Sequence, residues 1–252
     1  MGYFMNLWHL NTGQWAATVV CAFLIGFSKT GFSGVSTLVV PVMAGLFGGK
    51  VSSGIVLPML IFGDLIAVKK YNQHADWTYI RRLLPWAVAG ILLGLLVGNA
   101  VSDTQFKKII AIIVLIGLVI MIWQEWRGEK AAVPHQWWFS ALLGLAGGFS
   151  TMIGNAAGPV MGIYLLAMQL PKWVFIGTGA WFFMIINWVK VPLQAIFWKG
   201  ITGESLLFNL ILTPVIGVGA WAGMKVVEYI PEKPFRLIVI ALTALAAVKL
   251  IF

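Results

Sequence analysis

Ten apolar runs joined by short polar connectors leave this 252-residue chain almost no way to fold in water. The runs fall at about 15–27, 32–48, 53–68, 83–100, 107–124, 137–149, 156–170, 173–197, 206–224 and 234–252. A helix crossing the ~30 Å hydrocarbon layer needs roughly 20 apolar residues, and most of these runs approach that length. Composition agrees, with 60% of residues hydrophobic and 10% charged, against about 45–50% and about 25% in soluble domains. The expectation is an all-α polytopic membrane protein with nominally about 8–10 transmembrane segments. Its single cysteine, Cys21, excludes an internal disulfide framework. His9, His74 and His135 are too dispersed for a dedicated metal site. No cofactor is expected. No Lys or Arg precedes Lys29, so the N-terminal stretch lacks the basic region of a signal peptide and reads as a mature start.

The net charge of +9 comes from 17 Lys and Arg against 8 Asp and Glu. In a soluble protein that excess would suggest nucleic-acid binding. Here the basic residues lie in short loops between apolar runs, which is the positive-inside pattern, and no nucleic-acid partner is expected. The most polar connector, Glu125 to Gln136, divides the chain nearly in half. The expected organisation is a first membrane repeat at 1–124, a cytoplasmic linker at 125–136 and a second membrane repeat at 137–252.

The halves resemble each other. Gly26-Phe27-Ser28 recurs as Gly148-Phe149-Ser150, followed after a one-residue slip by Gly31 and Gly154. That register pairs Gly54 with Gly177 and Asp64 with Asn187. Pro85, Gly90, Gly94, Phe106 and Lys107 match Pro214, Gly219, Gly223, Phe235 and Arg236 at one offset of 129. A duplication is the simplest account. With Lys69, Lys70, Arg81 and Arg82 in the cytoplasm, an inverted second half adds Arg127, Lys130, Lys172, Lys225, Lys233 and Arg236 to that side. Lys50, Lys107, Lys108 and Lys199 remain outside. This asymmetry favours inverted repeats with both termini outside.

Two pairs of runs are shorter than a span. Residues 15–27 and 32–48 are separated by Ser28-Lys29-Thr30-Gly31, and residues 137–149 and 156–170 by Ser150 to Asn155. Each pair reads either as two tilted spans or as a re-entrant hairpin of half-helices, with the hairpin favoured. The fold is then two inverted repeats, each a broken-helix pair plus three spanning helices.

Ionisable groups inside spans cost at least ~2.5 kcal/mol at mid-helix, so those present call for a reason. Lys29 sits among Ser28, Thr30, Gly31, Ser33 and Gly34. A break there would offer open backbone N–H groups, hydroxyls and an ammonium, all of which suit an anion. The matching break carries Ser150, Thr151, Gly154 and Asn155. Asp64, Asn187 and Lys190 form a second polar set, with Lys190 on the helix face of Asn187. Each has a plainer reading as well: Lys29 and Lys190 as snorkelling lysines, and Asp64, a turn or more before Lys69, as a loop-proximal carboxylate paired with a lysine. Gly90, Gly94, Gly144, Gly147 and Gly148 suit helix packing whatever the function. Nucleophile elbow, zincin and Walker motifs are absent from the sequence, which argues against an enzyme and against ATP-driven transport.

The motifs resemble those of the TauE/SafE family of sulfite and organosulfonate exporters, which is grouped with toluenesulfonate uptake permeases. The resemblance runs from about Trp15 to Phe252. It is carried by Gly26-Phe27-Ser28-Lys29-Thr30-Gly31 with Gly34, by Pro41 and Asp64, and by Asp76-Trp77 before Pro85, Gly90 and Gly94. Gly154, Gly158-Pro159, Asn187 and Lys190 carry it in the second half. The resemblance implies a secondary carrier of sulfite or an organosulfonate in a bacterial inner membrane, with export as the favoured direction and protons as a candidate coupling ion. On this reading Ser28, Lys29, Thr30, Gly31, Ser33, Gly34, Ser150, Thr151, Gly154 and Asn155 bind substrate. Asp64, Asn187 and Lys190 form the polar network that couples access or a proton. The alternatives are an anion channel or uptake permease for a sulfur-containing or carboxylate anion and, less favoured, a membrane-embedded enzyme or assembly factor.

Overall fold

A computed structural model of the chain describes residues 10–32, 35–98, 136–231, 233–235, 237–241 and 244. The expected run at 107–124, the linker at 125–136 save Gln136 and the end of the run at 234–252 lie outside the described residues. So do Ser33, Gly34, Phe106, Lys107 and Arg236.

Helix α1, Thr12–Thr30, opens on a capping box. The Asn11 side chain accepts from the Gln14 amide at 2.9 Å, and the Gln14 side chain accepts from the Asn11 amide at 3.0 Å. A 3₁₀ turn at Val35–Leu38 leads into the nine-residue α2, Val39–Phe47. Then come α3, Gly49–Tyr71, and α4, Trp77–Val97. The second group is α5, Trp137–Gly154; α6, Gly158–Ala167; α7, Lys172–Ile196; and α8, Gly203–Tyr229. Among the described residues there is no strand. Among the described residues four helical segments are long and apolar enough to cross a membrane: Val51–His74, Trp77–Val97, Lys172–Ile196 and Gly203–Tyr229.

The distribution of side chains is that of a protein dissolved in lipid. Helix α8 exposes Leu206, Leu207, Leu210, Ile211, Val218 and Trp221 while burying Asn209, Gly219 and Gly223. Helix α4 exposes Leu92, Leu93 and Leu96 and buries Gly90 and Gly94. Small and polar residues face inward because hydrocarbon offers them nothing, whereas leucine is as well solvated outside as in.

Helix α6 has ten residues, all buried, and rises about 15 Å, half of the hydrocarbon thickness. Pro159 fits its first turn, where no intrahelical N–H donor is needed. The first member of each short pair is longer than its apolar run, at 19 residues in α1 and 18 in α5. This corrects the position of both breaks: Ser28, Lys29 and Thr30 close α1, and Ser150, Thr151 and Gly154 close α5. The hydroxyls permit it by bonding to the preceding turn. Thr30 Oγ1 donates to the Gly26 carbonyl at 3.3 Å, and Ser150 Oγ donates to that of Gly147 at 3.0 Å. Asn155, with φ of 55°, then ends α5 in the left-handed region.

Two glycine seams hold the helices together. Along α1 and α8, a methyl carbon on Gly26 would come closer than 3.0 Å to the Ile216 carbonyl oxygen. The same holds for Gly219 against the Phe23 carbonyl and Gly223 against that of Phe27. Along α5 and α4, Gly148 meets the Ala87 carbonyl, Gly90 that of Leu145 and Gly94 that of Phe149. Phe23, Gly26 and Phe27 lie 122 residues before Leu145, Gly148 and Phe149. Ala87, Gly90 and Gly94 lie 129 before Ile216, Gly219 and Gly223. Each contact of one seam therefore has its counterpart in the other, and both seams join residues from opposite sides of the central connector.

Candidate functional site

The last turn of α1 points Lys29 at α3, where Gly63 leaves room for its stem: a methyl carbon on Gly63 would lie 2.9 Å from Lys29 Cγ. The ammonium then reaches Asp64 Oδ1 at 2.8 Å and lies 4.3 Å from the centre of the Phe183 ring. Both ends of the ion pair are buried, with side-chain exposures of 7% for Lys29 and 0% for Asp64.

From Asp64 the polar chain continues into α7. Asn187 Nδ2 donates to Asp64 Oδ2 at 2.7 Å, while Asn187 Oδ1 accepts from Lys190 Nζ at 3.2 Å. Lys190 also donates to Thr151 Oγ1 at 3.0 Å and to Asn155 Oδ1. Asn155 Nδ2 donates to the Ser53 carbonyl at 3.1 Å and to Ser53 Oγ at 3.3 Å. Gln194 Nε2 donates to the same hydroxyl at 2.9 Å. Helical spacing explains the α7 contribution, since Asn187, Lys190 and Gln194 follow at i, i+3 and i+7 on one face.

Among the described residues the network brings together two lysines and one aspartate. Lys190 is fully buried, and its three oxygen acceptors match the three N–H bonds of an ammonium. Among the described residues no carboxylate lies within ion-pair distance of it; the ion pairs are Lys29 with Asp64 and, at an exposed helix end, Glu228 with Lys70 and Lys225. Two buried lysines to one carboxylate make a donor-rich setting that suits an anion. Snorkelling is excluded for both lysines by their burial, and Asp64 pairs with Lys29 rather than with Lys69.

The remaining candidates divide. Ser28 Oγ donates to the Phe32 carbonyl and accepts from the Ser36 amide, both at 3.0 Å, so it fastens the turn after α1. Thr30 Oγ1 donates to the Ala220 carbonyl at 2.7 Å, and the Thr30 carbonyl accepts from the Tyr71 hydroxyl at 3.0 Å. Ser150 serves its own helix, and Gly154 is the last residue of α5. Ser28 and Gly31 nevertheless line a cavity of about 20 Å³ beside Lys29, Asp64, Phe175, Gly179 and Phe183. That is room for about one water molecule. Sequence reasoning missed Ser53, Gln194 and Phe183. Gln194 and Phe183 stand at helical spacing from Lys190 and Asn187 and carried a readable signal. Ser53 carried none, because a serine at the start of the apolar run 53–68 is unremarkable.

Comparison with known proteins points to a family of membrane transporters. A family model described as "Sulfite exporter TauE/SafE" matches residues 18–250. The chain is similar to the "Probable membrane transporter protein MamO" of Magnetospirillum gryphiswaldense, at 21% identity over 77% of this chain. The protein of the same name from Paramagnetospirillum magneticum is similar to the same extent. The match spans only 37% of the length of these curated relatives. No solved structure matches the chain.

Proposed function

The chain belongs to the sulfite exporter TauE/SafE family, and from that premise we propose that it is a secondary transporter of small sulfur-containing anions, sulfite or an organosulfonate, in a bacterial inner membrane. The observation that carries this reading is the buried network of Lys29, Asp64, Asn187 and Lys190, with two lysines to one carboxylate. The similarity to proteins named as membrane transporters supports transport over catalysis.

In this reading the anion enters the cavity beside Lys29 and Ser28, at the end of α1. Lys190, Thr151 and Asn155 face it from the second half. Gly31 and Gly154 give the backbone near the helix ends room to approach it, and Ser33 and Gly34 are proposed as further ligands from the sequence alone. Thr30 and Ser150 hold those ends in place. A cavity with room for about one water is a closed state, so the anion must be admitted by movement of the helices that carry these groups. Rocking of one half against the other about Asp64 and Asn187 provides that movement.

The paired glycine seams support a duplicated architecture, with repeats at 1–124 and 137–252 joined by the linker at 125–136. The hydrogen bond between Asp64 and Asn187, which occupy matching positions of the halves, supports a pseudo-two-fold axis through the network. Inverted repeats with re-entrant second members and both termini outside are the arrangement most consistent with the basic loops. A reporter fused after Phe252 should be active outside the cytoplasm, and cytoplasmic activity would reject the inverted topology.

Ligand binding tests the function itself. Detergent-purified protein should be stabilised against heat by sulfite or by at least one of thiosulfate, sulfoacetate and taurine. At 100 times its dissociation constant a ligand contributes about 2.7 kcal/mol, a readily measured shift. No shift with any of these compounds or with sulfate would contradict the assignment.

A further inference from the structure

The network does more than attract an anion, because its one carboxylate already occupies the cation that faces the cavity. Asp64 lies between two lysines: it is in direct contact with Lys29 through Oδ1 and linked to Lys190 through Asn187 at Oδ2. We infer that Asp64 is a displaceable internal counter-anion: the transported anion takes its place on Lys29, and Lys190 takes over neutralisation of the carboxylate. The inference rests on the anion-transport reading and adds to it the valence of the substrate.

The charge arithmetic follows from the groups that face Asp64. Helix α1 contributes Lys29 and α7 contributes Lys190. Neither α2 nor α5, which also pack against α3, carries a charged residue. The charged residues of α8 are Glu204, in its first turn, and Lys225 and Glu228, in the exposed cluster with Lys70. Among the described residues, with both lysines protonated, two ammonium groups and one carboxylate leave a formal charge of +1, which one monovalent anion cancels. A divalent anion leaves the low-dielectric site at −1 and must bring a proton with it. The substrate class is therefore a monovalent oxyanion, an organosulfonate or hydrogen sulfite, in preference to a sulfate-like dianion.

The matching position of the second half explains why one charge remains. Had Asn187 also been an aspartate, two lysines would face two carboxylates and no charge would be left for a ligand. The amide keeps the geometry of the carboxylate, donating to Asp64 and accepting from Lys190, without its charge.

The test is a charge series in the purified full-length chain, read by thermal-shift titration with methanesulfonate and sulfate. The wild type should prefer methanesulfonate by at least about tenfold. Asp64→Asn raises the formal charge to +2 and should move the preference at least about tenfold toward sulfate. The exchanged variant Asp64→Asn with Asn187→Asp restores +1 and should restore the wild-type preference. An Asp64→Asn preference identical to the wild type overturns the inference while leaving anion transport intact. If Asp64→Asn does not fold, the wild type decides alone: sulfate binding as tightly as methanesulfonate overturns it. Absence of protection by any anion in a folded wild type overturns the transport reading and the inference together.

Discussion

Lys29→Met is expected to lower anion flux by at least about 10²-fold, because it deletes the ammonium that faces the cavity while keeping much of the stem over Gly63. The substitution also leaves Asp64 buried with Asn187 as its remaining direct partner. Breaking one side of a buried ion pair costs about 3–5 kcal/mol, so loss of flux alone could reflect loss of protein. The double variant Lys29→Met with Asp64→Asn separates the two effects. It removes the orphaned carboxylate, should recover most of the thermal stability, and should remain unable to transport. Flux is measured in proteoliposomes at matched protein content. Wild-type flux in either variant would remove Lys29 from the site.

The second large effect falls on the glycine seams. Gly148→Ala and Gly26→Ala each place a methyl carbon closer than 3.0 Å to a backbone carbonyl oxygen of the facing helix, where only displacement of a whole helix gives relief. Overpacking of this kind costs about 1–3 kcal/mol, and a main-chain obstacle belongs at the upper end. Gly217→Ala is the control, since nothing lies within 4 Å of a methyl carbon there. It shares α8 with Gly219, whose methyl would meet the Phe23 carbonyl. Folded yield by fluorescence-detected size exclusion should fall sharply for Gly26→Ala, Gly148→Ala and Gly219→Ala and remain unchanged for Gly217→Ala. Equal yields across the set would show that the seams are not tightly packed.

Much of this architecture was legible in the sequence because lipid imposes a simple rule on where polar groups lie. Asp64, Lys29 and Lys190 stood out as charges a bilayer resists, and the structure joins them through Asn187. The pairing of Asp64 with Asn187 was readable from the internal register, although that they touch was not. Sequence reasoning went astray at the helix ends. Ser28, Thr30 and Ser150 look like breakers, yet the Thr30 and Ser150 hydroxyls bond to carbonyls of the same helix or its neighbour, Ser28 fastens the turn that follows, and α1 and α5 run on. That choice depends on local hydrogen-bond partners that residue type alone does not specify. Ser53 was invisible for a related reason: its role comes from the approach of Asn155 and Gln194, residues more than 100 positions away.

The central claim is that the Lys29–Asp64–Lys190 network carries a monovalent sulfur oxyanion through the membrane. Counterflow in proteoliposomes tests it most directly, with unlabelled methanesulfonate or hydrogen sulfite inside and a trace of the labelled anion outside. The account predicts transient accumulation of label above equilibrium with the wild type and none with Lys29→Met. Accumulation no greater than in protein-free vesicles, with folded wild-type protein present, would contradict it.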